Sequence, residues 1–376
     1  MSIPIGMIGG GQGAFIGAVH RIALAMDGRF RLVAGCFSRD PSNTAKTGAE
    51  LGLDPARCYG TYQEMLEGEL ARPTEDRIAA VSIVTPNHVH REPTVAFLDA
   101  GFHVICDKPM ATSLKDGRSM VEAARRSGRV FALTHNYTGY PMVREAREWV
   151  RSGKLGTVRK VMVEYLQGWL SEDLEATGQK QASWRTDPSQ SGPTGALGDI
   201  GTHAMNLLEH VTGDQIHELY AVMETKVAGR RLDDDDSVLL RMKSGATGVL
   251  LASQVCFGKE NALTLRVFGT TGALEWNQEH PNDLWVTEQD GVVRRLRAGL
   301  SATTANSRFL TRIPPGHPEG YLEGFANTYR AFARAIVGEP DLDAPFPTAE
   351  DGLRGIAFLE TCLQSSRRRE WVSLST

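Results

Sequence analysis

The chain has 376 residues, too many for one ordinary hydrophobic core, so its length predicts two domains. It is 41% hydrophobic and 23% charged, with 41 basic against 45 acidic residues and a net charge of −4, an ordinary composition for a soluble globular protein. There is no basic stripe suited to nucleic acid, and no apolar run nears the roughly 18 residues of a membrane helix. The start, MSIPIGMIGGG, runs straight into a strand without the pattern of a secretory leader, so a cytoplasmic protein is expected. Cys36, Cys58, Cys106, Cys256 and Cys362 are scattered, which predicts reduced thiols and no metal site.

In chain order, Ile3–Ile8 reads as a short apolar strand ending in glycines, and Ala18–Ala25 as a helix. Arg31–Phe37 is a second strand, followed by a helix through Leu51. Ala79–Thr85, His103–Cys106 and Arg129–Thr134 are further buried strands, with helices at Pro93–Ala100 and Leu114–Ser127. Strands apolar on both faces and alternating with helices predict a doubly wound parallel sheet of α/β class. After about residue 135 the pattern changes. Helix Met142–Ser152 is followed by strands at Val158–Tyr165, Glu218–Lys226, Ser237–Met242, Thr247–Gln254 and Leu263–Phe268, separated in places by glycine turns. A helix near Asp199–Val211 interrupts them, and helices near Tyr321–Val337 and Ala349–Ser365 close the chain. The expectation is a dinucleotide-binding domain over 1–134 and an α+β domain over 135–376 with a large, mostly antiparallel open sheet. The acidic run Asp233–Asp236 reads as a solvated turn.

Gly9-Gly10-Gly11-Gln12-Gly13-Ala14 lies between the first strand and the first helix. Glycines there let the backbone turn and approach a pyrophosphate, whose charge the helix-start amides hold. This makes Gly9, Gly11, Gln12, Gly13, Ala14, Phe15 and Ile16 cofactor candidates. At the end of the second strand, Ser38 stands where a carboxylate for the ribose 2′-hydroxyl is common. Ser38 and Arg39 admit the 2′-phosphate of NADP, and Asp40 keeps NAD open. Two strand ends carry Thr85-Pro86-Asn87-His88-Val89-His90 and Cys106-Asp107-Lys108-Pro109, and the second domain carries Gly198-Asp199-Ile200-Gly201-Thr202-His203. Ligands of doubly wound sheets sit beyond the carboxyl ends of the strands.

These segments resemble the glucose-fructose oxidoreductase / inositol dehydrogenase (Gfo/Idh/MocA) family, through GGGQGAFIGAVH, TPNHVH, DKP and GDIGTH. The resemblance runs over most of the chain and implies a Rossmann domain joined to a domain whose open sheet mediates homodimers or homotetramers. It also implies NAD or NADP as cofactor. Lys108 matches the family lysine that contacts the substrate hydroxyl, Asp199 and His203 match its D-x-x-x-H pair, and the histidine is the implied general acid/base. Thr85, Asn87, His90, Asp107 and Asn136 fall in segments implied to line the cofactor. Tyr137, Tyr165, Gln167, Trp169, Trp184, Arg185 and His317 resemble pocket residues of levoglucosan, scyllo-inositol and L-glucose dehydrogenases. The chemistry agrees, because oxidising a secondary alcohol removes an O–H proton as hydride leaves carbon. An imidazole suits that proton, and a buried ammonium at Lys108 would stabilise the alkoxide. Residues four apart on a helix, like Asp199 and His203, share one face. The expected activity is hydride transfer between nicotinamide and a carbinol of a sugar, anhydrosugar or cyclitol. An NAD-dependent glycosidase and a non-catalytic cofactor-binding regulator remain alternatives. The sequence departs from the family pattern at Asp107 for glutamate, at Asn206 for aspartate, and by about three extra residues in the glycine loop.

Overall fold

Short β-branched runs alternate with amphipathic ones, and the chain folds accordingly. The computed structural model describes residues 2–339 and 346–376. The first part runs β1 (Ile3–Gly9), α1 (Phe15–Met26), β2 (Phe30–Cys36), α2 (Pro41–Glu50), α3 (Tyr62–Leu70), β3 (Ala80–Val84), α4 (Arg91–Asp99), β4 (His103–Cys106), α5 (Leu114–Ser127) and β5 (Phe131–Leu133). Then come α6 (Pro141–Arg151), β6 (Val158–Leu166), the short α7 (Lys180–Arg185) and α8 (Pro188–Ser191), and α9 (Thr202–Thr212). Seven strands follow: β7 (Ile216–Glu224), β8 (Asp235–Met242), β9 (Thr247–Ser253), β10 (Ala262–Gly269), β11 (Ala273–Asn277), β12 (Asp283–Thr287) and β13 (Val293–Arg297). The chain ends with α10 (Ala305–Phe309), α11 (Tyr321–Ile336), α12 (Ala349–Arg368) and β14 (Val372–Ser373). Among the described residues no helix is long and apolar enough to cross a membrane.

The chain divides into two compact units. The first comprises Met1–Asn136 together with Leu322–Leu353, and the second Tyr137–Tyr321 with Arg354–Thr376. This differs from a single boundary near residue 134, because most of α11 returns to the first unit. Phe325, Tyr329 and Phe332 recur at helical spacing on α11, and this aromatic stripe packs on the first unit: Phe325 and Tyr329 against His20 of α1, Phe332 against Phe30 of β2. The first unit is built on a five-stranded parallel sheet of order β2-β1-β3-β4-β5. Every residue of β3 is buried, as a strand covered on both faces must be.

The second unit holds a nine-stranded sheet of order β13-β12-β11-β10-β6-β9-β8-β7-β14. All its pairings are antiparallel except β6 with β9, which bring together strands separated by α7–α9, β7 and β8. One face buries Leu240, Leu250, Val163, Leu265, Leu274 and Leu284 under helices that include α6 and α9. The register aligns Val222, Leu239, Val249, Met162, Arg266, Glu275 and Trp285 on the other face, where Val222, Leu239 and Trp285 are about half exposed. The strands β11–β13 and the edge strand β14 were not anticipated from sequence, being short.

The acidic run expected as a solvated turn is instead largely buried, at Asp233, Asp234 and Asp236. The reason is chain capping. Asp233 accepts from the amides of Gly195 and Leu197 at 2.7 and 2.9 Å, fixing the start of the helical segment that leads to His203. Asp234 accepts from the amides of Lys226 and Val227 and pairs with Arg230 at 3.0 Å. Asp236, 2% exposed, keeps its proton well above the usual aspartate range, first through burial and then through the neighbouring Asp233 carboxylate. A carboxyl raised in the folded state stabilises the fold most below its unfolded pKa of about 3.9, and the benefit is lost as pH rises. Asp236→Asn should therefore raise Tm by a few degrees at pH 8, at about 2–4 °C per kcal/mol relieved. The gain should shrink toward pH 4. Thermal unfolding of both proteins across this range checks it, and a Tm difference independent of pH would contradict it.

Candidate active site

In the first unit, the strand ends converge on a glycine turn. Gly9, Gly10 and Gly13 have φ of 86°, 75° and 78°, the left-handed region that side chains disfavour. A Cβ on Gly17 would lie 2.3 Å from the Cα of Gly10, so glycine at both positions lets α1 seat against the turn. The three extra residues do not make a slack loop. Ala14 N–H donates to Gly11 O, and Gly11 N–H to Phe37 O, so the turn is closed on itself and on the end of β2. The helix then starts at Phe15, three residues before the expected Ala18.

This arrangement redistributes the expected cofactor contacts. The amide of Gln12 donates to Asn43 Oδ1 and Thr47 Oγ1, and its side chain to Glu50 Oε1, so Gln12 ties the turn to α2. Ala14's amide is likewise committed to the turn. Phe15 and Ile16 supply first-turn amides of a twelve-residue helix, which have no intrahelical acceptor. Ser38 Oγ accepts from the amide of Asp40, and Asp40 Oδ1 caps α2 through the amide of Ser42 at 2.9 Å. Arg39 is exposed.

His90 is fully buried, with Nδ1 2.9 Å from Pro109 O and Nε2 2.8 Å from Thr85 O. It holds the β3 and β4 ends together from inside, which corrects its expected place on a cofactor surface. Burial lowers its pKa, and in the neutral ring only one of the two nitrogens can donate to its carbonyl. Asn87 is buried just beyond β3. Asp107 Oδ1 accepts from the Lys108 amide at 2.9 Å and from Thr134 Oγ1 at 2.7 Å. Lys108 is half-buried, more open than the buried ammonium expected from sequence. Burial, with Lys108 nearby, pushes the His135 imidazole down to about 3, so it stays neutral. Thr85 Oγ1 and Asn136 Nδ2, beyond β3 and β5, are buried without a hydrogen-bond partner among the described residues. Orphaned polar atoms at strand ends, facing a glycine cradle and a helix start, fit a nicotinamide dinucleotide.

The second unit carries a separate polar network. Leu197–Gly201 winds as a π-helical turn that leads into α9 and carries Asp199, with His203 on the α-helical turn that follows. Gly201 permits this path, since a Cβ there would lie 3.3 Å from Ala252 of β9 and 2.7 Å from Leu197. The rings of Tyr137 and His203 meet edge-on at 4.9 Å, and Tyr165 lies 6.2 Å from His203. Tyr137 OH and Tyr165 OH are 2.5 Å apart, and Tyr165 donates to Asn261 Oδ1 at 2.6 Å. Gln167 also donates to Asn261 Oδ1, at 2.8 Å, and accepts from Trp169 Nε1 at 3.0 Å. Gln254 Nε2 reaches both Gln167 Oε1 and Asp199 Oδ2, the latter at 3.0 Å. Arg185 completes the chain on Asp199 Oδ2 at 3.1 Å, its guanidinium 4.3 Å above the Trp184 ring. Burial pushes Tyr137 up to about 12 and Tyr165 well above its ordinary value, so both phenols stay neutral donors and acceptors.

Tyr137, Tyr165, Gln167, Trp169, Trp184, Arg185, Asp199 and His203 are thus linked by these contacts. His317 is not among them: it is exposed, with Nδ1 3.0 Å from Pro314 O. The sequence reading missed Asn261 and Gln254, and also Tyr321, whose ring lies 6.4 Å from Tyr137. The signal for the two amides was a polar residue flanking an apolar strand, Gln254 just after β9 and Asn261 just before β10, at the end of the sheet where β6 runs out into Gln167. Asn206 Oδ1, one turn on from His203, is buried without a partner among the described residues.

Two family models match. The description "Oxidoreductase family, NAD-binding Rossmann fold" covers residues 3–135, and the GFO/IDH/MocA C-terminal domain covers residues 143–275. The chain belongs to the Gfo/Idh/MocA oxidoreductase family. An oxidoreductase from Sinorhizobium meliloti is 45% identical, with 99% of each chain covered and a TM-score of 0.90. An inositol dehydrogenase homolog from Azotobacter vinelandii, complexed with NADH and myo-inositol, is 35% identical over 99% of this chain and 98% of that one, with a TM-score of 0.91. Levoglucosan dehydrogenase of Pseudarthrobacter phenanthrenivorans is 29% identical over 99% of this chain and 98% of its own length. The protein is an NAD-binding oxidoreductase with a Rossmann domain. Gly17→Ala should weaken NADH binding about tenfold or more, roughly 1.4 kcal/mol, because α1 must move off the turn. Titration of NADH fluorescence checks it, and unchanged affinity would mean the seat of α1 does not shape the cofactor site.

Proposed function

We propose that the protein is an NAD(P)-dependent dehydrogenase that transfers a hydride between nicotinamide and a secondary carbinol of a sugar, anhydrosugar or cyclitol. The observation that carries this reading is the network around His203. Tyr137, Tyr165, Gln167, Gln254 and Asn261 are uncharged groups that both donate and accept, as a ring of hydroxyls requires. The Arg185 charge is already met by Asp199, which disfavours an anionic substrate. Relatives named for inositol and levoglucosan support the same class.

In this scheme the cofactor, when bound, accepts or returns the hydride. His203 takes the hydroxyl proton, being of the side-chain class that titrates near neutrality. Asp199, held by Gln254 and Arg185, orients the substrate beside it. Lys108, at the end of β4, stabilises the developing alkoxide. Phe15 and Ile16 hold the pyrophosphate, with Gly9, Gly11 and Gly13 shaping the turn, and Thr85, Asn87 and Asn136 contact the nicotinamide end. Ser38 and Arg39 meet the ribose 2′ group. Asp40 has one carboxylate oxygen committed to capping α2, so both NAD and NADP are admitted. The protein works in the cytoplasm as a homodimer or homotetramer. Its half-exposed sheet face, with Val222, Leu239 and Trp285, supports association through the large sheet.

Mixing the protein with NAD or NADP and a panel of inositols, pyranoses and anhydrosugars tests the reading. Net growth of reduced-nicotinamide absorbance is expected. Release of a glycoside's aglycone without net reduction would make it a glycosidase instead, and cofactor binding with neither signal would favour a regulator. His203→Ala should lower kcat by about 10²–10⁴ while NADH affinity stays unchanged. Turnover that survives the substitution would remove His203 from the role of base.

A further inference from the structure

The first unit contains a buried hydrogen-bond chain that the scheme above does not use. Ser82 Oγ on β3 lies 2.8 Å from Tyr329 OH on α11, and Tyr329 OH lies 2.7 Å from His20 Nδ1 on α1. His20 Nε2 lies 3.9 Å from Asp107 Oδ1 and has no closer partner among the described residues. Ser82 and His20 are fully buried and Tyr329 is 1% exposed. Packing alone does not call for these groups. His20 sits edge-on to Phe325 at 5.0 Å, and a phenylalanine at 329 would fill the same space. Buried polar groups are costly unless they are hydrogen-bonded, and the His20 nitrogen left without a bond lies 3.9 Å from the carboxylate whose oxygen holds the Lys108 amide.

We infer that Tyr329 and His20 are positioning residues for hydride transfer: they orient the Asp107 carboxylate, and through it the turn that presents the Lys108 ammonium. Asp107 stays ionised, because burial, which would raise its pKa, is outweighed by His20, Lys108 and Thr134. With the His20 Nε2 proton directed at that carboxylate, Nδ1 accepts from Tyr329 OH, and the phenol oxygen accepts from Ser82. Every donor then points one way along the chain. Thr134 hydrogen-bonds the carboxylate from just beyond β5, and the His20 ring approaches it to 3.9 Å from α1. Removing the Tyr329 hydroxyl frees the imidazole to turn, and the Lys108 turn loosens with it. The inference rests on the assignment of Lys108 to the reacting hydroxyl.

The test is a double-mutant cycle on the full-length protein, using the substrate that the panel identifies. Tyr329→Phe should lower kcat about tenfold and shift the pH–rate profile, with KM, NADH affinity and Tm little changed. Asp107→Asn should lower kcat further, and in that background Tyr329→Phe should have no additional effect, because the route to Lys108 is already cut. Additive losses, a loss that follows Tm, or wild-type kcat in Tyr329→Phe would each overturn the positioning role. Lys108→Met separates the two levels. If it is inactive while Tyr329→Phe is unaffected, only the relay fails, and if it keeps wild-type turnover, both fail. Nitrogen-15 NMR of histidine-labelled protein needs no turnover. The His20 signal, identified by its loss in His20→Gln, should show an Nε2 proton and an Nδ1 shift that moves in Tyr329→Phe. An Nδ1 signal indifferent to Tyr329 would equally overturn the relay.

Discussion

The first unit depends on keeping one negative charge, Asp107, out of water. An ion removed from solvent is tolerated only if paired and hydrogen-bonded, and stripping one partner from a buried pair typically costs about 3–5 kcal/mol. Asp107 draws its hydrogen-bond donors from its own following amide and from Thr134 beyond β5, and the His20 ring of α1 stands 3.9 Å from it. His20 in turn engages Tyr329, and Tyr329 engages Ser82 of β3. The contacts around one carboxylate therefore gather the turns after β4 and β5, the middle of β3, the first helix and a helix from the far end of the chain. That is why the C-terminal α11 belongs to the first unit, with an aromatic stripe to seat it and a hydroxyl to reach the buried chain.

The second unit meets the same problem with neutral groups. The ion pair of Arg185 with Asp199 is partly exposed and contributes little by itself. The amides of Gln167, Gln254 and Asn261 carry the geometry, each placed where a strand of the large sheet runs out. Asp233 supplies the framing from below by capping the segment that becomes the π turn and then α9. The acidic run is therefore part of the site's support, although it carries no chemistry of its own.

Much of this was legible in the sequence, for identifiable reasons. Buried strands announced themselves by continuous apolar runs, and the glycine turn, Asp107-Lys108-Pro109 and Asp199 to His203 are local in sequence, so their chemistry could be read in place. What escaped was long-range. The aromatic stripe on α11 was visible, but which body it would cover depends on Phe30 and His20, about three hundred positions away. Asn261 looked like an ordinary loop amide and Gln254 like the last residue of a strand, because only strand pairing brings them beside Gln167. The acidic run looked solvated because four aspartates in a row usually are. Burial came from amide groups at residues 195, 197, 226 and 227, which no local pattern reveals. His90 misled for the opposite reason, since its neighbours line a ligand surface while its own ring points inward.

The contrast between a charged scaffold and a neutral pocket constrains how substrate preference can change. Replacing Asp107 or His20 strands a charge or a polar group in the interior, so the first unit's chemistry is effectively fixed. Replacing Gln167 or Asn261 alters hydrogen bonds worth about 0.5–1.5 kcal/mol each, in groups that solvent can partly reach. A new pattern of ring hydroxyls can thus be accommodated by exchanging donors and acceptors at the strand ends of the large sheet. The lysine turn and its buried support need not move. In the proposed scheme the polyol is recognised through Gln167, Gln254, Asn261 and Asn206, and the reaction is carried by Lys108, Asp199 and His203.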